Sequence, residues 1–504
     1  MNVPAPSLLP PPGLLLGQTQ TQFPSWREGQ SQSMSSILDW LAGNSHYLGA
    51  SLPTGSGKSL LAVLASRLGS RRTVILTATK GLQSQLMSDF QAVGLFDMRG
   101  QANYQCLEFG GLVDDAPCHD GVDCPLRKRG CLYYDDLQLA VQSPMVVTNY
   151  AYYIHQTQYS SGLGTVKLLV CDEAHLAFQA LESIFTVHLD QVELLRNGLE
   201  SPPDSDMQWS DWQQWARRQH LSVGAGKAHR SLERSLKVLS MATGEYVIQP
   251  DASGWTLTPV WVSEYGRLLN AGKVLYLSAV ISPKTLQLLG VKNHLWLDGA
   301  SYFPPERSPV THVRTVRVTH KSTPDEMLAW VSRIDQIISH RLDRKGIVFT
   351  VSYERARFLL AHSQHRAIML DHDHNTTARA VARFRFDSPP CVLVTPSVTT
   401  GYDFPGDQCR YIVVGKLPYP DTSSPITKRR MELDSDWVPY LAMQTLVQEC
   451  GRGSRSADDW CEVLVIDDQW RWWWPKYHHL APGWFQARYR GSQDVIPPPL
   501  SVSK

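Results

Sequence analysis

The sequence predicts an α/β chain built as two parallel-sheet lobes, and three observations carry that reading. Short apolar strand candidates alternate with helical periods from about residue 46 to 90, the pattern of a sheet covered on both faces. A second alternating set runs from about 310 to 470, without any internal repeat of the first. A chain of 504 residues has room for about three domains, and its 43% hydrophobic residues can fill their cores.

Taken in order, residues 1–22 are rich in Pro, Gln and Thr and read as a flexible tail. A helical period follows over Gln30–Leu41, and the run His46–Leu52 reads as a strand that feeds a glycine-rich turn. Ser59–Leu68 has the pattern of the helix after that turn, Val74–Thr77 that of a buried strand, and Lys80–Phe90 that of another helix. The period breaks at Arg99, and residues 105–135 form a polar insertion of Gly, Asp, Pro and Cys. Strand signals resume at Pro144–Thr148 and Val166–Asp172. Residues 178–245 are polar and mostly helical, a second insertion, before Val274–Ser278 returns to a buried strand. The first lobe therefore comprises 23–104, 136–177 and 246–300. The second covers 301–485, with strand candidates Gly346–Thr350, Cys391–Thr395, Tyr411–Val414 and Val463–Ile466; residues 486–504 read as a loose tail. Trp470, Trp472, Trp473 and Trp474 follow the last strand and are expected to pack against this lobe.

Composition excludes some function classes. No stretch of 18 apolar residues occurs, so no membrane span is expected. The apolar run Ser7–Gly17 lacks a preceding basic segment and does not read as a signal peptide. Nine cysteines without an export signal point to a reducing cytoplasm. Cys171, Cys391, Cys409, Cys450 and Cys461 read as buried apolar residues. With Lys+Arg 48 against Asp+Glu 47, any nucleic-acid surface must come from local clustering.

Three motifs point to a nucleotide site. Thr54, Gly55, Ser56, Gly57, Lys58 and Ser59 form a strand–loop–helix turn whose backbone N–H groups suit phosphates. Lys58 can reach the β- and γ-phosphates of ATP, and the Ser59 hydroxyl can hold Mg²⁺. Leu52 stands where the usual pattern has its first glycine. Asp172 and Glu173, followed by Ala174 and His175, end a buried apolar strand, where carboxylates are costly without a partner. Mg²⁺ supplies one for Asp172, while Glu173 can orient or deprotonate the attacking water. Gln448, Arg452 and Arg455 lie in a third motif; two arginines three apart share one face of a helix and suit γ-phosphate oxygens. Alone, that pair would read as a solvated face.

Cys106, Cys118, Cys124 and Cys131 lie between the phosphate loop and the acidic box. Four thiolates suit either a [4Fe–4S] cluster or a tetrahedral zinc, and the spacing leaves both open. Arg127, Lys128 and Arg129 inside this segment suit either phosphate contacts or a solvated loop. Tyr104, Tyr133, Tyr134 and Tyr150 are candidates for base stacking by position, each more readily a packing residue.

These pieces in this order resemble superfamily 2 helicases, and the cysteine segment narrows the resemblance to the XPD/DinG-type iron–sulfur DNA helicases (Rad3-like, with an Asp-Glu-Ala-His box). It extends from Phe23 to Asp467. Phe23–Gln30 resembles the family's adenine-side segment, with Arg27 and Gln30 in place; Val147–Tyr150, Ser278–Pro283, Thr400–Gly406 and Gln448–Arg455 resemble further motifs. Val280 replaces the second hydroxyl residue of the third motif. The resemblance implies two RecA-like lobes, an iron–sulfur insertion and a short, mostly helical arch. It adds His175, Gly401 and Asp403 to the nucleotide-binding residues and selects iron–sulfur over zinc. It further implies a monomeric motor moving 5′ to 3′ on single-stranded and forked DNA in a bacterial or phage-infected cell. A helicase of the same box type acting on RNA with a structural zinc, and an ATP-gated DNA-binding scaffold that clamps without unwinding, are the alternatives.

Overall fold

The computed structural model describes residues 9–17, 23–222, 230–299, 304–396, 402–454 and 459–501. The first lobe begins with strands β1 (Tyr47–Ser51), β2 (Thr73–Thr77), β3 (Leu95–Asp97), β4 (Met145–Asn149) and β5 (Leu168–Asp172). The second insertion then contributes β6 (Val187–Asp190), helices Gln191–Arg196, Trp209–Ser222 and Arg230–Met241, and strands β7 (Tyr246–Pro250) and β8 (Gly254–Pro259). The chain returns through β9 (Lys273–Ser278) and β10 (Leu295–Asp298). The sheet order is β10-β1-β9-β5-β2-β4-β3, parallel throughout. Strands β2, β5 and β9 are buried along their whole length, as parallel strands sandwiched by helices must be. Because β1, β9 and β5 are neighbours, their carboxyl ends share one edge, with Ser51 opposite Ser278 and Asp172 opposite Leu277. Open parallel sheets bind their ligands at such an edge.

The second lobe repeats the plan with β11 (Val310–Val316), β12 (Lys345–Phe349), β13 (Met369–Leu370), β14 (Cys391–Thr395), β15 (Tyr411–Val414), β16 (Glu462–Asp467) and β17 (Tyr489–Gln493). The order is β13-β14-β12-β15-β16-β11-β17, again parallel. Its helix Pro324–Ser339 starts on a capping box in which Thr323 and Glu326 exchange side-chain and backbone hydrogen bonds. One buried apolar cluster runs from Val74 and Tyr276 to Ile347 and Val465, so the lobes meet over a shared core.

Three expectations need correction. The segment 178–245 is less purely helical than its polarity implied. Strands β6, β7 and β8 form an antiparallel sheet that carries the insertion to Pro259, and Trp212, Trp215, Leu236 and Tyr246 give it a core of its own. Residues 486–501 do not form a loose tail. β17 pairs with β11, and Arg341 and Arg344 donate to the carbonyls of Pro497 (3.1 Å) and Leu500 (3.0 Å). Arg341 can do so because a buried two-point pair with Glu462, at 2.9 and 2.8 Å, fixes its fork. Near the start of the chain, part of the expected tail is anchored: Leu16 is buried and Trp26 Nε1 donates to Pro10 O at 2.8 Å. The tryptophan run behaves as expected, with Trp470, Trp473 and Trp474 buried in the second lobe and Trp472 exposed.

The lobes are pinned together away from the nucleotide motifs. Arg430, on helix Pro425–Leu433, sends Nε to Val260 O (2.8 Å) and Nη2 to Pro259 O (2.9 Å) and to Glu182. Phe178, Trp261 and Trp437 close around its guanidinium at 5.0, 5.9 and 5.1 Å. Among the described residues, no helix is long and apolar enough to cross a membrane.

Candidate nucleotide site and cysteine insertion

The phosphate loop follows β1 directly. Gly55 (φ 78°) and Gly57 (φ 75°) take left-handed backbone that other residues adopt at a cost. A side chain at Gly57 would also strike Gln30 Nε2. Gln30 itself is buried; its amide donates to Ser56 O at 2.8 Å, and Arg27 Nη1 donates to Gly55 O. The Arg27–Gln30 segment thus braces the loop from behind. Lys58 and Ser59 open the helix Lys58–Leu68, and the Lys58 ammonium rests on the loop's own carbonyls, Pro53 O at 3.4 Å and Leu52 O at 3.5 Å.

Asp172 ends β5 almost fully buried. Burial, then the neighbouring Glu173 charge, push its carboxyl up to about 7, while Lys58 and the Glu173 N–H pull it down. A buried carboxylate facing a lysine suits a divalent cation, whose charge would supply what Lys58 supplies only in part. Glu173 takes φ 49°, and this left-handed turn swings its carboxylate off the strand axis.

A chain of hydrogen bonds then crosses the cleft. Gln448 Nε2 donates to His175 Nε2 (2.5 Å), which leaves the His175 proton on Nδ1, 2.9 Å from Ser278 Oγ. Ser278 in turn donates to Glu173 Oε2 at 3.3 Å and accepts from Val280 N–H at 3.3 Å. Burial holds His175 below its usual pKa against the pull of Glu173, so the ring relays as a neutral donor–acceptor. Both ring nitrogens of His175, expected on the nucleotide, are therefore engaged by protein. Val280 participates through its backbone; its side chain lies in the shared core.

The second lobe contributes the end of helix Trp437–Cys450. Thr54 Oγ1 donates to Gly451 O at 3.4 Å across the cleft. Arg452, 8% exposed, donates from Nη1 to Tyr402 O at 2.6 Å and feels the charges of Glu449 and Glu173. Phe404 N–H donates to Arg452 O at 3.1 Å, so Asp403 lies on a segment laced to this arginine. Gly401 and Arg455 lie outside the described residues. The sheet edge and this helix end thus gather Lys58, Asp172, Glu173 and Arg452 around one cleft. Such a set can bind polyphosphate, hold Mg²⁺ and handle a water, the elements of phosphoryl transfer.

The cysteine segment is built from short 3₁₀ turns, including Val113–Asp115, Pro117–Asp120 and Pro125–Arg127. Its turns are closed by backbone bonds such as Cys106 N–H to Gly111 O (2.9 Å) and Cys131 N–H to Leu126 O (3.0 Å). Cys118 is buried, and its thiol is raised by burial and then by the charges of Cys124, Cys106 and Cys131. Four thiols are by their chemistry a donor set that suits soft metals. Among the described residues, no group of three or more His, Cys, Asp or Glu side chains that could hold a metal ion is formed. Arg127 lies over the Tyr134 ring at 5.2 Å, and Arg127, Lys128 and Arg129 are exposed. Tyr133 and Tyr150 are buried packing residues: Tyr133 bonds Tyr152 (3.0 Å), and Tyr150 donates to Asp172 O (2.8 Å).

One further position joins this site beyond those expected from sequence. Ser278, quoted only within a motif, is the hydroxyl that ties His175 to Glu173; a lone polar residue ending an apolar strand was the available signal.

Two family models match the chain. The DEAD/DEAH box helicase model covers residues 27–202 and the helicase C-terminal domain model covers 336–488. No curated protein matches in sequence. Among solved structures, one titled XPD helicase aligns at a TM-score of 0.61 and 16% identity over 93% of this chain and 100% of that one. Another, titled XPD apo, gives 0.57 and 15% over 91% and 100%. Xpd4 of S. tokodaii gives 0.56 and 15% over 89% and 97%.

Proposed function

We propose that this chain, which carries a DEAD/DEAH box helicase domain and a helicase C-terminal domain on an XPD-like fold, is an ATP-dependent helicase of superfamily 2 that translocates 5′ to 3′ on single-stranded DNA and unwinds forked duplexes as a monomer. In this reading Lys58 and the loop amides of Thr54–Ser59 grip the phosphates, with Arg27 and Gln30 on the adenine side. Ser59 and Asp172 hold Mg²⁺, Glu173 handles the water, and Arg452 meets the γ-phosphate from the second lobe, with Arg455, Gly401 and Asp403 completing that side. The observation that carries the coupling is the relay from Gln448 through His175 and Ser278 to Glu173. Gln448 reaches His175 only when the lobes are together, so the carboxylate that handles water is positioned by lobe closure.

The DNA assignment rests on the cysteine insertion. Cys106, Cys118, Cys124 and Cys131 would hold a [4Fe–4S] cluster, which when bound would staple together a segment otherwise made of short turns. The exposed Arg127–Arg129 run beside them supports a grip on phosphates. Unwinding of 5′-tailed DNA duplexes, with Lys58→Ala as the inactive control, tests the whole. Activity confined to RNA tails, or to 3′ tails, would overturn the substrate or the direction. Metal analysis of anaerobically purified protein tests the cluster: iron and sulfide are expected, and one zinc per chain would replace it.

A further inference from the structure

Tyr150 opens the helix Tyr150–Tyr159 directly after β4, and the Asn149 side chain caps that helix by accepting from Tyr152 N–H at 2.8 Å. The cap fixes the first turn on the strand end. The Tyr150 ring is 2% exposed, and its hydroxyl donates to Asp172 O at 2.8 Å. In the sheet β2 lies between β4 and β5, so this bond ties together two strand ends that share no ladder. Burial, then the neighbouring Cys171 and Asp172, hold the phenol well above its ordinary range, and it stays a donor at any working pH.

The accepting carbonyl belongs to the peptide unit that joins Asp172 to Glu173. The other end of the same unit is also held, because Glu173 N–H donates to Asp172 Oδ1 at 3.0 Å. Glu173 then turns left-handed at φ 49°, a rotation about the bond that leaves this unit, and such backbone is costly for a residue with a β-carbon. The orientation of the unit therefore sets where the Glu173 side chain starts. Ser278 Oγ, donating to Glu173 Oε2 at 3.3 Å, sets where it ends. We propose that Tyr150 is a positioning residue for Glu173: its hydroxyl locks the peptide plane from which the carboxylate is aimed at the water. The inference rests on the reading of Glu173 as the water-handling group.

The full-length protein tests it by steady-state ATP hydrolysis, with kcat and KM resolved, alongside thermal unfolding. Tyr150→Phe removes one oxygen atom and keeps the ring that fills the core. It should lower kcat about tenfold with KM changed by less than about twofold, because the phosphate loop is untouched. Tyr152→Phe is the matched control. On the same helix it deletes a buried phenol bond of similar length, to Tyr133 at 3.0 Å, that does not reach the acidic pair. Both variants should show a similar small loss of Tm, but Tyr152→Phe should keep kcat within about twofold. If Tyr150→Phe keeps kcat, or if both variants lose it in step with Tm, Tyr150 only packs and the proposal is overturned. Glu173→Gln separates the two layers. If Glu173→Gln is inactive and Tyr150→Phe turns over like the wild type, only the role of Tyr150 falls. If Glu173→Gln turns over normally, the reading of Glu173 falls and takes the inference with it. In the double variant, Tyr150→Phe should add no further loss to Glu173→Gln; an additive loss shows that Tyr150 acts elsewhere.

Discussion

The nucleotide cleft and the cysteine insertion solve the problem of holding reactive side chains in opposite ways. In the cleft, each group is fixed by the chain itself: a strand end for Asp172, a helix start for Lys58 and Ser59, a saturated hydroxyl at Ser278 that accepts twice and donates once. In the insertion, four cysteines sit on or beside short turns closed by a few backbone bonds. The cleft is organised by contacts among its own side chains, whereas the insertion is held by its backbone turns. Damage to the first should therefore stop the chemistry, and damage to the second should leave the chemistry and remove its mechanical output.

The sharpest break is Glu173→Gln. Loss of the carboxylate should reduce kcat by about 10²- to 10⁴-fold with ATP binding retained, as read by equilibrium binding of a fluorescent nucleotide. Weak binding would mean that Glu173 holds the loop rather than handling water. Cys118→Ser should release iron and abolish unwinding while DNA-independent hydrolysis persists; loss of both would erase the distinction between the regions. Ser278→Ala cuts the relay at its centre and should cost about tenfold in kcat, about 1.4 kcal/mol, with Tm nearly unchanged.

The next effect depends on pH. Asp172 titrates near 7, above its ordinary carboxylate range, so below that pH Mg²⁺ must displace a proton to bind. Apparent Mg²⁺ affinity should fall about tenfold per pH unit below 7 and be flat above it, read as the Mg²⁺ dependence of hydrolysis. The same shift makes the metal-free fold lose stability as pH rises through 7, because the folded state holds this proton more tightly than the unfolded one. The smallest effect on turnover belongs to Val280→Thr. The relay uses the Val280 amide, so kcat should stay within about twofold. The buried hydroxyl, set in an apolar core, should cost about 1–3 kcal/mol of stability, seen as a lower Tm.

What was legible in the sequence was whatever is local. The glycine turn between Leu52 and Ser59 and the acidic pair after Val166–Cys171 announce themselves within a few residues of chain. The strands of the second lobe read equally well wherever they are wholly apolar, as at Val463–Ile466. Less legible was anything set by long-range pairing. β17 carries Arg490, Gly491 and Ser492, which lack strand patterning because an edge strand is paired on one side only. Gln448 and His175 were both singled out, but nothing in either neighbourhood says that they touch across 273 residues of chain. Val280 drew notice for a missing hydroxyl, although its neighbour Ser278 carries the hydrogen bonds.

The helix Trp437–Cys450 touches both features that join the lobes. At one end Trp437 closes the aromatic box around Arg430; at the other, Gln448 and Gly451 reach His175 and Thr54. Its 14 residues separate these ends by about 20 Å. That makes the helix a lever arm with its fulcrum at Arg430. A swing of about 10° there would displace the far tip by roughly 3–4 Å, enough to break the contacts of Gln448 with His175 and of Gly451 with Thr54, while Tyr440, near the pivot, would keep its bond to Thr285. A small angular change at that aromatic pivot would thereby be geared up into making or breaking the contact between Gln448 and His175.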